Sequence, residues 1–560
     1  MAARSLSYLQ AMFLASIMEF AGALGVGARV ADTIRTKVVA TEDFVDTPGL
    51  LMLGMVCAVI ASSIFLTFAT RMGMPVSTTH SILGGVIGMG VAAVGAKNVK
   101  WVGDPADGPT AVITGGVVQV FMAWVIAPVL SGIFAAAIFL ITKYAVLLRK
   151  NPVMKGLFAV PIYFAVAACL LSMLLLWKGG SYEVTLTEQE IPGVIVGVGA
   201  GFGLLVALTL VPWLYRRIIC GDWQLRGYHV FFGPLLLRRG EVPPPPADYK
   251  GPVRDFYAGR ATKEELSARK AGGNPQPGDI EAAAPGDAPS DAGKGAGVEK
   301  VVSSGESGEE QPADIREEHP PHKSMVGPKP EGKLLTGRVL WWWAKHIVLH
   351  GVDRDIVGSQ SESSVLAGDV EEMHARSQRF DNRAEYLFTF LQIMTAATAS
   401  FTHGANDVGN AIGPYATIYQ IWKDGEVGAD GASEVPTWIL GFGGVAIVLG
   451  LWTYGYNIMR NLGNRLTLQS PSRGFAMEMG SVIAVVMATR LSLPVSTTQC
   501  ITGATVGVGF CNGDWRAINW RMVAWIYLGW FVTLPATGII SGCLMGFVIN
   551  APRWPQTMTN

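Results

Sequence analysis

Apolar runs long enough to cross a bilayer recur along this chain, and no other feature restricts its fold as strongly. They read as about 7–30, 49–70, 110–141, 156–177, 191–215, 384–402, 436–459, 474–490 and 520–548, with shorter ones at about 76–96 and 495–511. Half of the residues are apolar and only 15% are charged, a larger apolar share than a soluble core requires. In hydrocarbon every backbone polar group must be bonded internally, so such runs predict an all-α membrane protein. The two short runs each follow a proline and are rich in glycine, which suits re-entrant or broken helices; an ordinary span with proline in its first turn is the other reading. The first run continues into Arg29 and Asp32 without a small-residue cleavage pattern, so it reads as a retained helix and not a signal peptide.

Composition changes abruptly between about 216 and 382, where charged residues, Pro243 to Pro246 and a Gly/Ala/Ser/Asp/Glu stretch replace apolar periodicity. The expected organisation is an N-terminal transmembrane half at 1–215, a polar and largely disordered linker at 216–382, a C-terminal half at 383–550 and a tail at 551–560. Within the linker, Tyr228 to Leu237 and Val339 to Val348, with Trp341, Trp342 and Trp343, suit interfacial helices lying on the bilayer. Lysine plus arginine balance aspartate plus glutamate at 43 each, which gives no reason to expect a nucleic-acid partner. The six cysteines show no CxxC or Cys/His spacing, so neither a disulfide framework nor a zinc site is expected.

The hydrophobic halves repeat each other. Arg71 to Val91 reads RMGMPVSTTHSILGGVIGMGV and Arg490 to Phe510 reads RLSLPVSTTQCITGATVGVGF. They match at Pro-Val-Ser-Thr-Thr and at the glycine pairs Gly84/Gly503, Gly88/Gly507 and Gly90/Gly509, and upstream the spacing of Gly22 and Gly27 equals that of Gly450 and Gly455. Basic residues such as Arg149, Lys150, Arg216, Arg217, Arg460 and Arg473 mark the cytoplasmic side, while Glu183, Glu188, Glu190 and Glu426 mark the other. That charge pattern makes the repeats inverted, the arrangement that puts a transporter's substrate site at the repeat interface near the midplane.

Each motif has chemistry of its own. A proline followed by Ser-Thr-Thr and an apolar stretch resembles a helix start, so Ser77, Thr78, Thr79 and Ser496, Thr497, Thr498 offer hydroxyls and free N–H groups to an oxyanion. Plain helix capping by the same residues is the alternative. A second motif, GANDVGNAIGP at 404–414, sits at the end of an apolar run, where an ionised Asp is costly and therefore a functional candidate. Asp407, Asn406 and Asn410 place hard oxygen ligands within one helical turn, and the glycines would let the backbone open and add carbonyls for a small cation. A helix end with a Gly/Pro terminator is the competing reading.

GANDVGNAIGP together with two inverted copies of PVSTT, separated by a long polar loop, resembles the inorganic phosphate transporter family of sodium:phosphate symporters, most closely its fungal phosphate-repressible permease branch. The likeness covers nearly all of the hydrophobic chain and not the loop. It implies a non-enzymatic secondary transporter in the plasma membrane, with inorganic phosphate, monovalent cations and the lipid bilayer as partners and no cofactor beyond the co-transported sodium or proton. It implies cation and phosphate roles for Asn406, Asp407 and Asn410, with sodium on Asp407, and phosphate contacts from Ser77, Thr78, Thr79, Ser496, Thr497 and Thr498. The family's two important membrane glutamates match Glu19 and Glu478, which also stand out as acids within apolar segments. The oligomeric state stays open, a homodimer included.

Two departures bear on that resemblance. His80 of the first repeat is Gln499 in the second, so an imidazole is not required at both positions. Family members also carry an ANDVAN-type motif in the first half, at a position that would lie upstream of Leu6; the expectation is that one helix and half of the cation site precede Met1 in a longer reading frame, and that the chain as given transports poorly. Carrying a monoanion into a cell that is negative inside costs about 2.3 kcal/mol per charge at 100 mV, so uptake needs at least two monovalent cations per anion. A phosphate sensor that binds without transport, or an inactive truncated transporter, are the rival functions. An enzyme is disfavoured because most of the histidines fall in the linker and its flanks, with no nucleophile and base or metal cluster in sight.

Overall fold

The computed structural model describes residues 1–36, 41–103, 115–178, 186–246, 249, 251–271, 326–330, 336–349, 360, 366–427, 435–490 and 495–551. Every regular element among them is helical. The α-helices run α1 (Tyr8–Thr36), α2 (Pro48–Arg71), α3 (Thr78–Val94), α4 (Gly116–Thr142), α5 (Pro152–Lys178), α6 (Ile191–Leu214), α7 (Lys263–Lys270), α8 (Gly337–Val348), α9 (Val370–Ala375), α10 (Asn382–Asp424), α11 (Thr437–Met459), α12 (Pro471–Arg490), α13 (Thr497–Phe510) and α14 (Trp520–Asn550).

Seven of the described helices, α1, α2, α4, α5, α6, α11 and α14, are long and apolar enough to cross a membrane. The sequence runs at 384–402 and 474–490 fall in α10 and α12, which are not in that set. Their polar residues face the bundle interior: α12 is buried along almost its whole length, and α10 buries Glu385, Gln392, Thr395, Asn406 and Asn410. Helices wrapped by other helices need no continuous lipid-facing apolar surface.

The short helices after the repeated motif are α3 and α13, entered through serines with matching backbone angles, φ −95° and ψ 120° at Ser77 and φ −95° and ψ 125° at Ser496. Each packs on the long, proline-containing helix of the other half. On α3, a Cβ at Gly88 would stand 2.8 Å from the Cα of Gly538 in α14; on α13, one at Gly507 would stand 2.7 Å from the Cα of Gly132 in α4. Both distances are too short for any side chain, so these glycines are what let the backbones touch, as small residues do where helices associate in membranes. The halves therefore interlock by exchange.

A similar crossing joins α1 to α10, where a Cβ at Gly404 would stand 2.7 Å from Glu19 Cα and one at Gly22 would meet the carbonyl of Phe401. Gly450, which shares Gly22's spacing in the repeat, faces open space. Equal spacing in sequence thus does not carry equal packing.

α10 also corrects an expectation. It runs unbroken for 43 residues through GANDVGNAIGP, from the Asp381 cap to Gly425 in the left-handed region at φ +76°. The backbone does not open at the motif, and neither is the motif a helix end.

The linker's flanks are more structured than their composition suggests. Gly227–Arg238 forms 3-10 turns beside α6, and Gly337–Val348 is helical as α8. Between these two segments, Phe256 and Tyr257 are buried against Leu468. The Tyr257 hydroxyl donates to Glu385 Oε1 at 2.9 Å, and Ser472 donates to the same carboxylate from its N–H and its Oγ, each at 2.8 Å. Residues 272–325, which include the most biased composition, lie outside the described residues.

Candidate functional site

Asp407 collects the motifs. It projects from the middle of α10, with 7% of its side chain exposed. Thr78 Oγ1 at the start of α3 donates to its Oδ1 at 3.0 Å, and Thr497 Oγ1 at the start of α13 donates to its Oδ2 at 2.7 Å. One carboxylate thus accepts a hydroxyl from each repeat, at equivalent positions. Asn410, one turn along α10, donates from Nδ2 to Asp407 Oδ1 at 2.7 Å and to Thr78 Oγ1 at 2.8 Å, while its own Oδ1 is buried without a partner among the described residues. An uncommitted buried oxygen beside an anion is a suitable additional ligand for a hard cation.

His403, four residues before Asp407, bridges two acids. Its Nε2 lies 3.0 Å from Asp407 Oδ2 and its Nδ1 lies 2.8 Å from Glu19 Oε2 on α1. Two ring nitrogens that both face carboxylate oxygens can both be satisfied only if each carries a hydrogen or if an acid is protonated, so this arrangement holds one proton more than neutral imidazole between two ionised acids would. Glu19 reaches it because Gly404 and Gly22 bring α1 and α10 into backbone contact.

This cluster borders a cavity of about 420 Å³ lined by Glu19, Thr78, His403, Thr497 and Thr498 together with Ser400, Thr402 and Ser481, and closed by aliphatic residues such as Leu66, Val482 and Ile501. The size is that of small-molecule sites, and the polar groups converge from both halves.

The remaining sequence candidates divide. Ser77 is fully buried and caps α3, accepting from His80 N–H at 3.2 Å. Thr79 is buried with its Oγ1 unpartnered among the described residues. Ser496 occupies the cap position of α13 without a side-chain cap bond. Asn406 turns away from Asp407 and donates to the Val495 carbonyl at 3.3 Å, tying α10 to the approach of α13. Glu478 does not line the cavity; it accepts from Thr395 Oγ1 at 2.6 Å and from Gln392 Nε2 at 3.5 Å, and Gln392 is in turn engaged by Ser5. His80 is buried against Trp124, whose indole N–H lies 3.0 Å from its ring. The imidazole among the acids is His403, which motif reading passed over although its i, i+4 spacing to Asp407 puts both on one helical face.

Comparison with known proteins settles the family. Residues 1–541 match the phosphate transporter family. The chain belongs to that family. It is 64% identical to the phosphate-repressible phosphate permease pho-4 of Neurospora crassa, over 99% of this chain and 93% of the relative. It is 28% identical to human sodium-dependent phosphate transporter 2, over 96% of this chain and 92% of that protein. Among solved structures, a sodium-dependent phosphate transporter superposes with a TM-score of 0.59 at 22% identity, covering 98% of this chain and 92% of the other, which supports the shared fold. The chain is accordingly a multi-pass membrane transporter and not an enzyme.

Proposed function

We propose that this chain carries inorganic phosphate across the plasma membrane in symport with sodium, with Asp407 bearing the cation, the Thr78 and Thr497 hydroxyls holding its carboxylate, and the free N–H groups and remaining hydroxyls of the two Ser-Thr-Thr helix starts forming the oxyanion cradle. The observation that carries the reading is the pair of hydroxyls, Thr78 and Thr497, that reach one carboxylate from opposite repeats. The human relative is named for sodium dependence, which favours sodium as the companion ion.

Coupling follows from charge. An oxyanion entering beside Asp407, Glu19 and the one proton they share with His403 still meets one net negative charge, and two unit charges about 4 Å apart at an effective dielectric of about 20 repel by about 4 kcal/mol. A cation bound first at Asp407 and Asn410 cancels that repulsion, and the dipole ends of α3 and α13 then act on the anion without opposition. In this scheme phosphate binds well only after the cation. Glu478, on α12, would serve as the second transport-essential acid through its Thr395 and Gln392 partners. The 216–382 segment would act as a cytoplasmic linker between the two transmembrane halves.

A second reading has its own observation. His403 bridging Glu19 and Asp407 already places a proton where a cation would ride, which favours proton coupling. Labelled phosphate uptake into proteoliposomes separates the two: accumulation driven by an inward sodium gradient at equal pH supports sodium symport, and accumulation that follows only a pH gradient supports the proton. Saturable binding without counterflow would replace both with the sensor reading.

A further inference from the structure

Beyond the end of α6 the chain turns and runs back along that helix. After the π-helical turn Tyr215–Ile219 it reverses at Gly221 in the left-handed region, φ +66°, and runs back along α6 as Gly227–Arg238. Gly233, at φ +51°, is buried so closely on α6 that a Cβ there would stand 2.6 Å from the Leu208 carbonyl. Leu208 lies six residues before Leu214, so at 1.5 Å per residue the loop reaches about 9 Å back along the helix. At that level α6 itself shows exposed Leu204, Leu205 and Leu208, the apolar side chains of a spanning helix.

The loop's own outward face is apolar too. Leu236 and Gly233 point inward, while Phe231 is 84% exposed and Phe232, Leu235 and Leu237 are each more than half exposed. The face is held and not loose, because the loop is tied at its neck. Buried Asp222 lies 3.6 Å from Arg216 Nη2 and 3.3 Å from Arg239 Nε, Arg216 donates to the Gly240 carbonyl at 2.8 Å, and Trp213 donates to the Arg226 carbonyl at 3.0 Å. Around the neck stand exposed Arg226 and Arg238, and the one acid within it, Asp222, is consumed internally.

We propose that Gly227–Arg238 is embedded in the linker-side leaflet, with Phe231, Phe232 and Leu235 among the acyl chains and Arg226 and Arg238 at the level of anionic phospholipid headgroups. Three observations favour lipid over a protein occupant. The apolar face continues the lipid-facing surface of α6 at the same depth. The 3-10 turns on either side of the Gly233 kink bond part of the backbone internally, which lowers the cost of placing it in hydrocarbon. The arginine collar complements the negative surface of an anionic leaflet.

The test introduces the photo-crosslinker p-benzoylphenylalanine at Phe231 of the full chain, reconstituted in phosphatidylcholine vesicles with a minor fraction of phosphatidylserine. Irradiation should give phospholipid adducts at a yield several-fold above the same probe at Lys263, which is exposed on the polar helix α7, and phosphatidylserine should exceed its share of the vesicle among them. Adducts to this chain's linker or to a second copy, or a lipid yield no higher than at Lys263, would overturn the embedding. Leu235 is the alternative probe position should the first variant not fold. Adding Arg226→Gln and Arg238→Gln should abolish the phosphatidylserine excess while total lipid adducts persist; an undiminished excess would overturn the headgroup contact.

Discussion

Asp407 is surrounded by groups that differ in what they can give up. Asp407→Asn keeps the shape and removes the charge, so it should abolish cation-dependent phosphate uptake with membrane insertion unchanged; sodium dependence close to that of the parent would remove Asp407 from the site. Thr497→Val keeps the volume and removes one hydrogen bond to a charged group, a loss of roughly 1.5–3 kcal/mol, or roughly 10- to 150-fold in affinity. It should appear in the sodium titration of uptake, since the hydroxyl is spent on Asp407. Weakened phosphate affinity with unchanged sodium affinity would assign Thr497 to the anion instead. Ser496→Ala should leave the sodium titration close to that of the parent, because the hydroxyl from α13 that bonds Asp407 is that of Thr497. These residue types were legible from the motifs. His403 was not singled out, because its role depends on Glu19 standing opposite on a different helix, and no spacing within α10 contains that information.

Helix crossings decide which side chains meet. Gly22 and Gly404 allow α1 and α10 to touch, and that contact delivers Glu19 to His403. Gly22→Val should force the helices apart, lowering both the melting temperature in detergent and phosphate uptake, whereas Gly450→Ala, in open space, should leave uptake intact. Equal sensitivity at both positions would mean that the glycines matter as a repeat and not as a contact. The Gly/Pro-rich motif read as a break because glycine costs about 1 kcal/mol in a helix interior and proline removes a backbone bond. Packing along α1 outweighs those local penalties, and α10 continues through Pro414 to Gly425.

Over the whole molecule the polar linker has two kinds of sequence. Deleting about 275–322 should leave uptake largely unchanged, since a segment of that composition has no core to lose and a long loop closes at small entropic cost; lost uptake with normal surface expression would show that it takes part in transport. The flank around Tyr257 and α9 is different. His374 on α9 is buried with its Nε2 2.7 Å from the Asn464 carbonyl, and burial, with Arg260 nearby, pushes its pKa down to about 3 from an ordinary 6.5. Above pH 6.5 both folded and unfolded states hold it neutral; below, only the unfolded state takes up the proton. Stability should therefore fall on acidification, on the order of 1 kcal/mol per pH unit between about 6.5 and 3 from this group. Thermal melts in detergent across that range should show a slope that His374→Gln reduces; an unchanged slope would place the acid sensitivity elsewhere.

The sequence by itself determined that the chain is a helical membrane protein, that its two halves are related through PVSTT, and that GANDVGN carries the exceptional carboxylate. Each of these follows from chain-local physics, namely the length of apolar runs, the residues that suit helix starts, and the cost of an acid in an apolar segment. Only the tertiary structure decided that Asp407 accepts one threonine from each repeat, that α10 does not break, that Asn406 faces Val495, and that Gly227–Arg238 returns along α6. Those outcomes depend on which helices approach within backbone contact, and that is set by the joint packing of residues hundreds of positions apart, where small side chains at a few crossings outweigh the local preferences of the segments they join.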